Sequence, residues 1–451
     1  MPRTARRPLP GRPVGMRRAT PAEAIELFRP TDSLGLPLGP AQPAGLLEAM
    51  GTRKDWEDLK VFGALVTVLT ELFNHPNVHY LSGFFGPLER LLRDSGANVG
   101  FAPADFRRFT PLLASIAPRV MATAAAPPDA DGYCSLSIHA GANVDEHHAA
   151  GADPDRILVV EVNDNYPVTY GHGDHQHRLH VDEIDVLVES EATPYELEDA
   201  PAGDVEAAIA RFVAGMVPDG ATLQTGIGAV PNVVATLLAE GDGGDYGIHS
   251  EMFTNGLMRL HEAGKITNAR KGQYEGVSVT TFAGGTRDLY DWLHQNREVA
   301  FLPVDVVNSP DVISQNGRMI SINAALAVDI HGQVVADTRS GEQFSGIGGH
   351  EDFVAGAGLD LSDRSILCLP STYRAGESVH SRIVPWFEAG TVITTPRHQV
   401  DAIVTEYGVA ELQGLTVHQR GMALAEIAHP DFRDGLAEAA ERASGGRSPV
   451  V

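Results

Sequence analysis

The segment GIHSEMFTNG, residues 247–256, sets one carboxylate, Glu251, beside Met252 and Phe253. Ionising a carboxylate among apolar neighbours is costly unless a reaction or a ligand uses it. Three further segments carry groups suited to the same chemistry. In TGIGAVPN, residues 225–232, Gly226 and Gly228 let the backbone approach a ligand closely. A helix start just beyond them favours an anion such as a phosphate, a plain strand-to-helix turn being the alternative. The stretch is no dinucleotide fingerprint, because Pro231 holds the third glycine position, and no P-loop, because no Gly-Lys-Ser/Thr follows. In SGIGGHEDF, residues 345–353, Gly346, Gly348 and Gly349 offer amides that could form an oxyanion nest, or else belong to a surface loop. In SINAAL, residues 321–326, Asn323 falls at a strand end, where its amide could hold a substrate carbonyl or satisfy backbone. Arg374 and Arg382, in STYRAGESVHSRIVP, could grip phosphate or carboxylate.

Other chemistries find less support. The histidines at 172, 175, 177 and 180, and at 139, 147 and 148, lie in Gly- and Asp-rich stretches without helical HExxH spacing, so no metal centre is expected. No GxSxG elbow is present. Cys134 and Cys368 both sit among apolar residues, which argues against a thiol nucleophile. Glu251 remains the best-placed reactive group.

The elements that must position these residues follow from pattern. Short β-branched runs such as RILVVEV, IDVLVE and ATLQTGIG alternate with helical patterns such as PNVVATLLAEG, which indicates an α/β protein with largely parallel sheets. DYGIH reads as the end of a short strand before Glu251, and LMRLHEAG as a helix ending at Gly264. SEATPYELEDAPAGD, residues 190–204, has the composition of an interdomain linker. DSLGLPLGPAQPAGLLEAM and GATLQTGIGAVPNVVATLLAEG repeat one order, strand, Gly-Pro loop and helix, with Pro231 placed like Pro43 just inside a helix.

The net charge of −25 argues against a nucleic-acid partner, while two cysteines in 451 residues fit a reducing cytoplasm. No apolar run reaches the roughly 18–20 residues of a membrane span. The basic, proline-broken leader before Glu23 reads as a disordered tail or an upstream start, with Met16 as the alternative initiator.

Taken in order, APPDADGYCSL, EVNDNYPVTYG, GIGAVPN, GIHSEMFTNG, SINAAL, SGIGGHEDF, SRIVP, IVTEYGVAEL and IAHPDFRDGL resemble the acetyl-CoA hydrolase/transferase family, which includes 4-hydroxybutyrate and butyryl-CoA:acetate CoA-transferases. The resemblance runs from about residue 21 to about residue 437. It implies two CoA-transferase-type α/β domains facing each other across a cleft. The divisions expected are a disordered leader 1–20, domains 21–196 and 197–440, and a flexible tail 441–451. Glu251 would be a covalent nucleophile passing through an acyl-glutamyl anhydride and a glutamyl-CoA thioester, assisted by Asn323 and by Gly348 amides. Gly226, Ile227, Gly228, Ala229, Val230, Leu326 and Gly349 would line coenzyme A, with Arg374 near it. Acyl-CoA and small carboxylates would be the substrates, with no tightly bound cofactor, and a cytoplasmic homodimer is expected. Hydrolysis of acyl-CoA by the same glutamate, and a non-catalytic ligand-binding relative, are the competing expectations. The chain departs from many relatives in carrying His350 and Glu351 after Gly349, and Asn255 after the glutamate motif.

Overall fold

The computed structural model describes residues 16–357, 360 and 362–443. The chain divides into two compact units, Met1–Leu197 with Val279–Val306, and Glu198–Ser278 with Val307–Val451.

The main sheet of the first unit is built from β1 Arg17–Ala19, β2 Thr31–Leu38, β3 Asp58–Ala64, β4 Val78–Ser82, β5 Val99–Phe101, β6 Val120–Ala125, β7 Ile157–Val162 and β8 Val186–Glu189. They form one sheet in the order β1-β8-β7-β6-β2-β3-β4-β5. Every pair in it is parallel. Parallel strands covered on both faces read as continuous apolar runs. VMATAA of β6 accordingly has all six residues buried. Helix α1, Ala44–Thr52, follows β2 and packs Leu46, Leu47 and Met50 into the core with Leu34, Leu59 and Val61.

The second unit repeats the plan. Strands β9 Thr222–Thr225, β10 Gly247–Phe253, β11 Met319–Ala324, β12 Arg364–Cys368, β13 Ala402–Thr405 and β14 Gly408–Glu411 lie in the spatial order β10-β9-β11-β12-β13-β14. All their pairings are parallel except that of β13 with β14. Helix α2, Ala229–Glu240, follows β9 as α1 follows β2, so the strand-loop-helix echo corresponds to two equivalent elements. Helices α3, Asn255–Glu262, and α4, His350–Gly356, complete the surroundings of the site. Among the described residues no helix is long and apolar enough to cross a membrane.

Three boundaries differ from the sequence expectation. The division falls at Leu197/Glu198, and the second unit is discontinuous because Val279–Val306 group with the first. Within the first unit this segment is tied by backbone bonds: Ala140 donates to Thr281, Ala283 to Ile138 and Phe301 to Tyr170. Residues 1–15 of the expected leader lie outside the described residues, but Arg17–Ala19 are paired with Val186–Val188. Of the expected tail, residues 444–451 lie outside the described residues, whereas the helix Pro430–Ala443 includes its beginning.

Candidate active site

Strand β9 lies between β10 on one side and β11 on the other. The chain leaves β9 for β10 and later returns to the opposite side, which makes a topological switch point. Open α/β sheets bind ligands at the carboxyl ends of strands at such a point. Thr222 is level with Gly247 and with Met319. Carried forward along the strands, this register brings Gly226, Glu251 and Asn323 to one level.

The strand read as ending before Glu251 instead runs through it to Phe253, so Glu251 is a strand residue, not a junction residue. Its side chain is partly buried. Asn308 Nδ2 donates to Glu251 Oε2 at 2.6 Å and to Asp352 Oδ2 at 2.9 Å, and both Asn308 and Asp352 are fully buried. Burial pushes the Glu251 carboxyl up to about 8. The Asn308 bond opposes that rise, the Asp352 charge adds to it, and the Gly349 backbone N–H opposes it again. The site therefore holds a carboxylate that is much more basic than one in water, and basicity with partial desolvation is what a carboxylate needs to act as a nucleophile.

Gly349 lies against this group, with Gly348 just before it. Gly348 has φ of 57°, a left-handed conformation that a side chain disfavours. Gly349 has an ordinary φ of −92°, but a Cβ there would overlap Glu251 Oε2 and Asn308 Nδ2. The departure at His350 and Glu351 has a structural partner in Thr395. The Thr395 hydroxyl donates to Glu351 Oε1 at 2.5 Å, which leaves it to accept from His350 Nε2 at 2.8 Å. Burial holds His350 down to about 4, so it stands neutral.

The other expected residues are spread along the strand ends. Asn323 joins a polar layer in which Ser321 Oγ donates to Gln224 Oε1 at 2.7 Å and Asn323 Nδ2 donates to Ser321 Oγ at 2.8 Å. Gly226 and Gly228 form the loop before α2, and a Cβ at either would meet nothing within 4 Å. Ile227 is exposed between them, and Ala229 and Val230 begin α2. The Leu326 amide donates to Val335 O, and its own carbonyl accepts from Arg382 Nη1 at 2.8 Å. Arg374 is exposed on the hairpin of Thr372–Ala375 and Ser378–Ser381, apart from any contact with Glu251. Sequence reasoning missed Asn308 and Asp352. Asp352 lies within the quoted SGIGGHEDF, whereas nothing in VVNSPDV singles out Asn308.

The thiols and histidines are otherwise engaged. Burial pushes both Cys134 and Cys368 up to about 12. His177 stacks on Phe301 and bonds Ser137 O at 2.7 Å. Among the described residues no three His, Cys, Asp or Glu side chains gather as a metal-binding set.

The displaced Glu251 equilibrium carries a stability consequence. The folded carboxyl titrates near 8 and the unfolded one near its ordinary 4.5. The native state thus retains a proton that the unfolded state has lost, and stability falls as pH rises through this window. Glu251→Gln, neutral at every pH, is expected to stabilise the protein by about 1–3 kcal/mol at pH 8 and by little at pH 4.5. Thermal melts of both proteins at the two pH values check this; an equal shift at both would contradict it.

Residues 285–440 match the acetyl-CoA hydrolase/transferase C-terminal domain. The chain is 42% identical over 309 residues to the 4-hydroxybutyrate coenzyme A transferase of Clostridium kluyveri, covering 68% of this chain and 69% of that protein. It is 35% identical over 436 residues to the butyryl-CoA:acetate CoA-transferase of Anaerostipes caccae, covering 94% and 96%. The crystal structure of RipA from Yersinia pestis superposes with a TM-score of 0.86 at 34% identity, over 95% of this chain and 97% of that one. A partly desolvated glutamate on a strand beside the switch point, together with likeness over 94% of the chain to a CoA-transferase, places the chain in the acetyl-CoA hydrolase/transferase family of CoA-transferase enzymes.

Proposed function

We propose that the protein is an acyl-CoA:carboxylate CoA-transferase of the acetyl-CoA and butyrate or 4-hydroxybutyrate type, working by a ping-pong mechanism at Glu251. The observation that carries the reading is the partly desolvated Glu251 carboxyl, bonded by Asn308 at 2.6 Å and pushed up to about 8. In its ionised form it attacks the thioester carbonyl carbon, and the C–S bond breaks to release CoA thiolate and an acyl-glutamyl anhydride. The thiolate then attacks the glutamyl carbonyl of the anhydride, freeing the first carboxylate and leaving a glutamyl-CoA thioester. An incoming carboxylate reverses both steps and departs as its CoA ester.

Each step passes through a tetrahedral oxyanion. The Gly348 and Gly349 amides are the donors assigned to it, with Asn323 holding the thioester carbonyl. The loop Gly226–Ile227–Gly228 and the first residues Ala229 and Val230 of α2 border the CoA path, together with Leu326 and Gly349. Arg374 reaches the outer part of the cofactor. The exchange joins thioesters of similar energy, so acyl-CoA and a small carboxylate suffice without a resident cofactor. A homodimer in the reducing cytoplasm completes the proposal.

The attack needs the ionised carboxylate, so kcat/KM is expected to rise with pH through an apparent value near 8 and to fall about tenfold per unit well below it. A profile flat between pH 6 and 9 would contradict this assignment. The reaction itself is tested with labelled acetate and butyryl-CoA. Label appearing in the CoA ester supports the transferase, whereas free thiol accumulating without labelled ester makes the protein a hydrolase.

A further inference from the structure

We propose that His249 is a positioning residue for Glu251, acting through the backbone of Val307 and the side chain of Asn308; the inference rests on Glu251 being the nucleophile. His249 and Glu251 are two residues apart on β10, so their side chains leave the same face of the strand. They take hold of consecutive residues of one segment. His249 Nε2 is 2.8 Å from Val307 O, and Glu251 Oε2 receives the 2.6 Å bond from Asn308 Nδ2.

The Val307 carbonyl and the Asn308 amide nitrogen belong to a single rigid peptide plane. A bond to that carbonyl therefore fixes the plane from which the Asn308 side chain springs. A carbonyl oxygen only accepts, so Nε2 carries the hydrogen and Nδ1 is the lone-pair nitrogen. Nδ1 is buried and has no hydrogen-bond partner. The ring thus makes its one polar contact with Val307. Burial, helped by the nearby Lys271 charge, holds the imidazole down to about 3, so this donor stays neutral and does not switch over the working range.

The ring also packs near Tyr274 and Phe353, with centroids 6.4 Å away in each case. Packing and hydrogen bonding can be separated, because His249→Phe keeps an aromatic ring and deletes the donor. Its kcat is expected to fall about 10- to 100-fold, with KM for butyryl-CoA changed less than about twofold and the melting profile remaining cooperative. Asn308→Ala is expected to lose a similar factor. The double variant should lose no more than the worse single one, because both changes break the same connection. His249→Gln, whose amide can donate to the same carbonyl, should recover most of kcat. His249→Leu replaces the Phe variant in the cycle if that protein does not fold. Wild-type kcat in His249→Phe, or losses that multiply in the double variant, would overturn the inference. Exchange persisting in Glu251→Ala would instead sink the nucleophile assignment, so the two failures are distinguishable.

Discussion

Replacing Glu251 by alanine is expected to reduce acyl exchange by about ten-thousandfold or more, with CoA binding kept within a fewfold. The size follows from the role: removing a covalent nucleophile closes the route altogether and leaves only residual binding and oxyanion stabilisation. Retained binding is expected because the proposed CoA loop, Gly226 to Gly228, is a separate segment that fronts α2. The substitution should not damage the fold, since it removes a raised-pKa carboxyl from a partly buried position. Exchange assays beside calorimetric titration with CoA separate the two quantities. Substantial exchange in this variant would exclude Glu251 as nucleophile, and loss of CoA affinity would assign it to binding instead.

Gly349→Ala is expected to be nearly as damaging, about 100- to 1000-fold in kcat, although it adds a single methyl group. The backbone does not forbid it: φ of −92° suits alanine. The added Cβ would overlap Glu251 Oε2 and Asn308 Nδ2. Three groups then compete for one space, and something must shift. Asn308 is fully buried and bonded to Asp352, so it has little room to yield. The Glu251 carboxylate is the side chain left to turn aside, and a nucleophile displaced by about 1 Å loses most of its advantage in proximity. A kcat in Gly349→Ala within about threefold of wild type would show that the carboxylate does not need the space beside that glycine.

Much of the fold was legible because its signals are local. Buried parallel strands such as ILVVEV read as continuous apolar runs, and the helix after GIGAVPN announces itself by Gly228 and Pro231. Glu251 stood out because a lone carboxylate between apolar residues contradicts its surroundings. Asn308 and Asp352 did not, because their importance is non-local. An asparagine in VVNSPDV is ordinary until the chain brings it between carboxylates 57 and 44 residues away. His249 was hidden for the same reason, its acceptor lying 58 residues along the chain. The grouping of Val279–Val306 with the first unit was not legible, because backbone bonds between residues far apart in the sequence have no composition signature. The strand end before Glu251 was set too early since Ser250, Glu251 and Met252 lack the β-branched pattern, yet the strand continues through them.

The proposed mechanism requires a covalent bond at one side chain, Glu251. Incubation with acetyl-CoA, reduction with borohydride and peptide mass spectrometry reads that bond directly, because a glutamyl-CoA thioester is reduced to an alcohol while a free carboxylate is inert. Loss of activity that requires both reagents is expected, with residue 251 recovered as the alcohol. An unmodified Glu251 in a fully active protein after the same treatment would contradict it.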